Sequence, residues 1–214
     1  MKKRNIRISI VLTIISIIYT FLVKKVDVGQ IGPYASSVGF SKINKLFINF
    51  IGSNMTIYKL TEILGLMTFI IVGIYGLIGL IQLIKRKSLF KVDREIISLG
   101  ILYALMLMVY VFFEKIVINY RPILLDGELE ASFPSSHTIL SICICISSLI
   151  VSKKYVPKKY INITTFITVL LLTMVLLGRT ISGVHWISDI VGGIIISITL
   201  LSYFITVLNW KKEK

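Results

Sequence analysis

The stretch ISDIVGGIIISITLLSYFITVL, from Ile187 to Leu208, decides the fold class of this chain. Nearly all of its residues are apolar, and a helix needs about 20 such residues to cross a hydrocarbon core of about 30 Å. A polar segment that contains His185 comes directly before it. The stretch therefore predicts a transmembrane helix that begins beside a group of polar side chains.

Five more apolar stretches lie upstream and support the same prediction. They run from Ile6 to Val23, Thr61 to Ile84, Ile96 to Ile118, His137 to Val151 and Ile163 to Leu177. The chain has 214 residues, 56% of them hydrophobic, which is too apolar for a soluble domain. We predict an all-α, polytopic membrane bundle of six transmembrane helices that forms one domain over residues 1–214. The fourth and fifth stretches are short, which predicts that their ends are buried in protein.

The basic residues predict the orientation of the bundle. Sixteen of the 24 Lys and Arg residues lie before the first span, between spans two and three, between spans four and five, or after span six. The positive-inside rule places these segments, and therefore both termini, in the cytoplasm. Lys24, Lys25, Lys42, Lys45 and Lys59 fall on the outer side and weaken the count. The net charge of +14 is thus explained by membrane topology, and nucleic acid is not an expected partner.

Two segments near the N-terminus need an interpretation. The first span resembles a signal peptide, but no small-residue cleavage site follows it, so we expect a retained anchor. The outer loop from Val26 to Leu60 is moderately apolar around Phe47 and Phe50. It either contains an interfacial helix that lies on the membrane or simply covers the top of the bundle.

The segment GRTISGVHWISD, from Gly178 to Asp189, precedes the last span. His185 and Asp189 are four residues apart, so a helix would present both on one face and let the carboxylate accept a hydrogen bond from the imidazole. That bond would leave the other nitrogen of His185 free to attack. Arg179 can fold back across the turn and hold the oxygens of a phosphoryl group.

The segment ASFPSSH, from Ala131 to His137, opens the fourth span. Ser135 and Ser136 offer hydroxyl and backbone N–H groups to an anion at a helix N-terminus, where the helix dipole adds to the attraction. His137 can donate a proton to a departing oxygen.

The segment EKIVINYRP, from Glu114 to Pro122, closes the third span. Pro122 stops the helix and places Arg121 at the mouth of the bundle as a second phosphate clamp. Lys115 lies about one and a half turns deeper and can reach upward along its stem.

These three segments together resemble the signature motifs of the type 2 phosphatidic acid phosphatase superfamily, which includes bacterial lipid phosphatases and vanadium haloperoxidases. The family pattern is Lys-x6-Arg-Pro, Pro-Ser-Gly-His and Ser-Arg-x5-His-x3-Asp, and the matching segments lie between residues 114 and 189. The resemblance implies a phosphatase that uses a phosphohistidine and neither metal nor cofactor. It implies that His185 is the nucleophile, Asp189 its orienter and His137 the leaving-group acid. The phosphate-binding role falls on Lys115, Arg121, Ser135, Ser136 and Arg179.

Three residues depart from the family pattern. Ser136 stands where the family usually has Gly, and Gly178 stands where it usually has Ser, but both residues are small. Only five residues separate Lys115 from Arg121, so Glu114 occupies the position of the family's Lys. Because one residue turns a helix by about 100°, Lys115 either uses a local distortion or is not a phosphate ligand.

Two further groups of residues suggest functions. Asp126, Glu128 and Glu130 form an acidic cluster that could be imagined to bind a metal, but we interpret it as solvated. Trp186 and Trp210 have the character of interfacial belt residues, and Trp186 is equally compatible with a position in the wall of the pocket.

We expect a hydrolase in a bacterial cell membrane, with its active site facing outside and a lipid phosphate or diphosphate as substrate. Undecaprenyl diphosphate suits an outward site, and phosphatidate and phosphatidylglycerophosphate are close rivals. A lipid-linked phosphotransferase with the same phosphohistidine and a non-enzymatic transporter of lipid phosphates remain alternatives. Haloperoxidase activity is not expected, because a pocket in a membrane bundle suits lipids.

Overall fold

The computed structural model describes residues 2–209, so Trp210 and the basic residues after it lie outside the described part of the chain. Seven α-helices occupy that part: α1 Lys2–Lys25, α2 Ser41–Ile51, α3 Met55–Arg86, α4 Arg94–Lys115, α5 Ser136–Tyr155, α6 Ile161–Ile181 and α7 Ile187–Asn209. Two short antiparallel strands, β1 Gly29–Gln30 and β2 Ser37–Val38, lie in the loop between α1 and α2.

All of these helices except α2 are long and apolar enough to cross a membrane, which confirms the predicted six-span α-helical bundle. The helices of the fourth and fifth spans are longer than the apolar stretches, and the predicted burial of the ends is found at Val151 of α5 but not at Ile163 and Leu177 of α6. Helix α5 has 20 residues and α6 has 21. Both continue past the point where hydropathy falls, because backbone hydrogen bonds, and not side-chain polarity, determine where a helix ends.

Helix α5 lies at the centre of the bundle, where it packs against α3, α4, α6 and α7. Helix α1 packs along α7, and hydroxyl groups connect the two helices. Three pairs lie within hydrogen-bond distance: Ser9 with Thr206 at 3.4 Å, Thr13 with Tyr203 at 3.0 Å, and Ser16 with Thr199 at 2.8 Å. Such hydroxyl pairs stabilise helix association in lipid by about 0.6 to 2 kcal/mol each.

A charge cluster around Asp93 closes the end of the bundle that carries the basic turns. The Asp93 carboxylate lies 2.7 Å from Arg86 Nη1 and 3.1 Å from Lys154 Nζ. The hydrogen bond from Arg86 holds the pKa of Asp93 well below its usual range. Arg94 donates to the carbonyl of Val207, so the end of α7 lies on the same side. The two basic turns, the start of α1 and the described end of α7 therefore share one end of the bundle, as the positive-inside count requires.

Helix α2 lies at the opposite end and turns its apolar face outward. Ile43, Leu46 and Phe50 are exposed, whereas Asn44 is buried. Asn44 Nδ2 donates to Ser188 Oγ at 2.9 Å, which attaches the polar face of α2 to α7. A helix that is polar toward the protein and apolar on the outside has the pattern of an interfacial helix, which favours that interpretation of the outer loop.

Candidate active site

The segment between α4 and α5 folds back on itself as a hairpin that carries parts of the first two motifs. Asp126 and Gly127 form its turn with positive φ angles of 50° and 83°, and Asp-Gly is a preferred sequence for such turns. Residues 119–121 then pair with residues 130–132 through backbone hydrogen bonds of 2.9 and 3.1 Å. The pairing places Arg121 opposite Glu130 and Ser132 opposite Asn119, and both Arg121 and Ser132 contact His185. Our sequence interpretation missed this hairpin, although the Asp-Gly dipeptide is its signal.

His185 lies in the turn between α6 and α7 and is 1% exposed. Its Nε2 is 3.1 Å from Arg121 Nη1, and its Nδ1 is 3.0 Å from Ser132 Oγ. Since a guanidinium can only donate, Nε2 carries the lone pair and Nδ1 carries the proton. Burial, followed by the positive charges of Arg121 and Arg179, lowers the pKa of His185 well below its usual value. Its imidazole is therefore neutral at pH 7 and has a nucleophilic Nε2.

The predicted direct hydrogen bond between His185 and Asp189 is absent. The expectation of a shared helical face is wrong because α7 begins at Ile187, two residues after His185. Asp189 Oδ1 instead accepts hydrogen bonds from Asn119 Nδ2 at 2.9 Å and Ser188 Oγ at 3.1 Å. Ser132 is therefore the residue that holds Nδ1 of His185, and the sequence interpretation assigned it no role. Asp189 Oδ2 is buried without a hydrogen-bond partner among the described residues.

Arg179 is fully buried near the end of α6. Its Nη2 forms an ion pair with Glu62 of α3, and its guanidinium lies 4.9 Å from the centre of the Tyr58 ring. Its Nε and Nη1 are buried and have no hydrogen-bond partner within residues 2–209. Unsatisfied buried donors are costly, so the oxygens of a phosphate would stabilise this side chain.

His137 and Ser136 begin α5 and line the same cavity as His185 and Arg121. His137 Nε2 lies 3.4 Å from Glu62 Oε1. Glu62 therefore contacts both a predicted phosphate clamp and the predicted acid. The sequence interpretation missed Glu62 because it lies on α3, far in sequence from the three motifs.

Lys115 and Ser135, like Arg179, do not line this cavity. Lys115 is exposed on the outer surface of α4, whereas Glu114 faces the cavity. Helix α4 is regular up to Lys115, so no local distortion turns the Lys115 side chain toward the cavity. Ser135 is fully buried, and its hydroxyl accepts a hydrogen bond from Thr138 at 3.0 Å. The geometry therefore does not support a phosphate-binding role for either residue.

The cavity has a volume of about 390 Å³ and extends from the two histidines between α3 and α4. Its polar end is formed by Arg121, Ser132, Ser136, His137 and His185. The rest is largely apolar and includes Phe69 and Val72 of α3 and Met106, Leu107, Tyr110 and Phe113 of α4. A charged end joined to an apolar channel matches the shape of an amphipathic ligand.

The remaining candidate residues have structural partners. Trp186 is 2% exposed, and its Nε1 donates to the carbonyl of Tyr120 at 2.6 Å, so it is neither a belt residue nor part of the cavity wall. It attaches the hairpin to the start of α7. Within the acidic cluster, Glu130 Oε2 lies 3.0 Å from Arg121 Nε. In the described part of the chain, no group of three His, Cys, Asp or Glu residues is placed to hold a metal ion.

Comparison with known proteins adds two findings. The sequence profile of the PAP2 superfamily matches residues 66–213, a range that includes all three motifs. The crystal structure of a transmembrane PAP2-type phosphatidylglycerolphosphate phosphatase from Bacillus subtilis is similar, with a TM-score of 0.62 over 96% of each chain and 14% identity. At this identity the likeness shows a shared fold. No curated protein matches the sequence.

Proposed function

The chain belongs to the PAP2 superfamily, and from this premise we propose that it hydrolyses a lipid phosphate or diphosphate through a phosphohistidine on His185. One observation carries the proposal. A buried neutral histidine and Arg121 line the polar end of an apolar cavity together with His137, and Glu62 connects His137 to the unsatisfied donors of Arg179. The positively charged groups would bind an anion, and the apolar walls of the cavity would bind an apolar chain that is attached to that anion.

In the proposed first step, His185 Nε2 attacks the phosphorus. An N–P bond forms, the P–O bond to the lipid breaks, and His137 gives its proton to the leaving oxygen. Ser132 holds the Nδ1 proton, and the carboxylate of Asp189 at the start of α7 stabilises the positive charge that develops on His185. Arg121 and Arg179 neutralise the charge on the phosphoryl oxygens.

In the second step, water attacks the same phosphorus. His137, now neutral, removes a proton from the water, the N–P bond breaks, and inorganic phosphate leaves. The second step restores both histidines to their starting protonation states. The same two histidines therefore serve both steps of the reaction.

The cavity indicates a substrate with an acyl or prenyl chain. Its apolar walls on α3 and α4 would hold the chain while the phosphate rests against His185. Phosphatidate, phosphatidylglycerophosphate and undecaprenyl diphosphate all combine these two parts. The similar Bacillus protein supports phosphatidylglycerophosphate, and the positive-inside count supports a site that faces outside a bacterial cell membrane, where undecaprenyl diphosphate is released.

The test is phosphate release by the detergent-purified protein from these three lipids, with EDTA present, for the wild type and His185→Ala. We expect release by the wild type without added acceptor, none by the variant, and an acid-labile phosphoenzyme in the wild type alone. Release that depends on a sugar or lipid acceptor would indicate phosphotransfer instead. Lipid phosphate binding that survives in His185→Ala, with no turnover by the wild type, would indicate transport.

A further inference from the structure

Glu62 lies outside the three motifs, yet it contacts two of their residues. It extends from α3 toward α5 and α6, where its Oε1 pairs with Arg179 Nη2 and lies 3.4 Å from His137 Nε2. Nδ1 of His137 is buried without a hydrogen-bond partner among the described residues. The carboxylate of Glu62 is thus the polar group that holds the His137 ring.

Gly65 completes this support one turn further along α3. A Cβ at residue 65 would lie 2.4 Å from Cδ2 and 3.0 Å from Nε2 of His137, a distance that real side chains do not tolerate. Residues three apart share a face of a helix. Helix α3 therefore presents a cradle in which Gly65 makes room for the imidazole and Glu62 binds its nitrogen.

The surrounding charges explain why an acid at this position needs a carboxylate. Arg179 of α6 shares the Glu62 carboxylate with His137, and its positive charge opposes an imidazolium there. Glu62 supplies a negative charge 3.4 Å from His137 Nε2. Arg179 in turn keeps the carboxylate in place and still has two nitrogens left for phosphate.

We propose that Glu62 is a positioning residue that orients His137 and supports its protonated form for delivery of the proton to the leaving lipid oxygen. The role rests on the proposed phosphatase function. It predicts that loss of the Glu62 carboxylate lowers kcat more for a substrate whose leaving oxygen must be protonated than for one whose leaving oxygen need not be. An alkoxide leaving group needs one at neutral pH, whereas p-nitrophenolate leaves without one.

The experiment measures kcat for an alkyl phosphate and for p-nitrophenyl phosphate in four proteins: the wild type, Glu62→Gln, His137→Ala and the double variant. The alkyl substrate is phosphatidate or phosphatidylglycerophosphate, whichever the wild type turns over faster. The Gln oxygen still accepts a hydrogen bond from Arg179, so the clamp is retained while the charge beside His137 is removed. Asp126→Asn is the matched control, because it makes the same chemical change in an exposed turn of the hairpin.

The readout is the ratio of the two kcat values, which does not depend on the fraction of folded enzyme. We expect Glu62→Gln to lower the ratio by about tenfold or more, and Asp126→Asn to leave it unchanged. In the His137→Ala background, Glu62→Gln should have little further effect, because the two residues act as one unit. Equal losses on both substrates, or independent losses in the double variant, would overturn the role of Glu62 alone. No turnover of either substrate by the wild type would overturn the proposed function together with it.

Discussion

The contact between Gly178 and Thr61 makes a quantitative prediction about how α3 and α6 fix the site. A Cβ added at Gly178 would lie 2.2 Å from Thr61 Cγ2, whereas ordinary contact begins at 3.4 Å. Because the hydroxyl bond to the Tyr58 carbonyl holds the Thr61 rotamer, we expect the two helices to separate by about 1.2 Å in Gly178→Ala, the difference between these distances. Glu62 and Arg179 are the chain neighbours of Thr61 and Gly178, so the same movement pulls their ion pair apart.

Two effects oppose each other in this variant. Helix propensity favours Ala over Gly by about 1 kcal/mol. Overpacking of a well-packed contact costs about 1 to 3 kcal/mol, and a displacement of about 1 Å in a catalytic group can lower the rate by about 100-fold. We expect Gly178→Ala to be less stable than the wild type by about 1 kcal/mol. We expect its rate of phosphate release to be lower by about 10-fold or more.

Thr61→Ser supplies the matched control, since it deletes only the clashing methyl group. The hydroxyl, which donates to the Tyr58 carbonyl at 2.7 Å, is kept, and the remaining Cβ lies at an ordinary 3.7 Å from the new group. The double variant should therefore recover most of the lost activity and melting temperature. The assays are phosphate release and thermal unfolding of the detergent-purified proteins. A Gly178→Ala protein that is as stable and active as the wild type, or one that Thr61→Ser fails to rescue, would refute the reasoning.

Three further predictions concern single residues of the site. The chain has two histidines, so the NMR spectrum of the His137→Gln variant contains the signals of His185 alone. His185 should gain a proton only well below pH 6.5, because its pKa is lowered. A midpoint at or above about 6.5, the ordinary value for histidine, would contradict this. Ser132→Ala should lower kcat by about 10- to 100-fold with little change in KM, because Nδ1 of His185 loses its hydrogen-bond partner. An unaltered kcat would remove Ser132 from the mechanism. Lys115→Ala should leave kcat/KM within about twofold of the wild type, because the side chain lies outside the cavity. A loss of about tenfold or more, as expected for a phosphate ligand, would restore the family role to Lys115.

The six spans and the order of the motifs were predictable from local patterns. Each span is an apolar stretch long enough to satisfy the bilayer by itself, so its existence does not depend on its neighbours. The candidate residues Arg121, His137 and His185 could be chosen because their residue types, order and spacing are specific when taken together. The ends of α5 and α6 could not be chosen in this way, because hydropathy does not show where backbone hydrogen bonding begins and ends.

The sequence by itself therefore determined the fold class and the residue types that carry the chemistry. The tertiary structure decided which atoms meet. The hairpin turn at Asp126 places Ser132 beside His185, the helical phase of α4 turns Lys115 away, and the packing of α3 against α5 and α6 brings Glu62 to His137. The physical reason is the range of the interactions: the burial of an apolar span depends on its own composition, whereas a hydrogen bond between distant segments depends on the relative position of two helices to within about 1 Å.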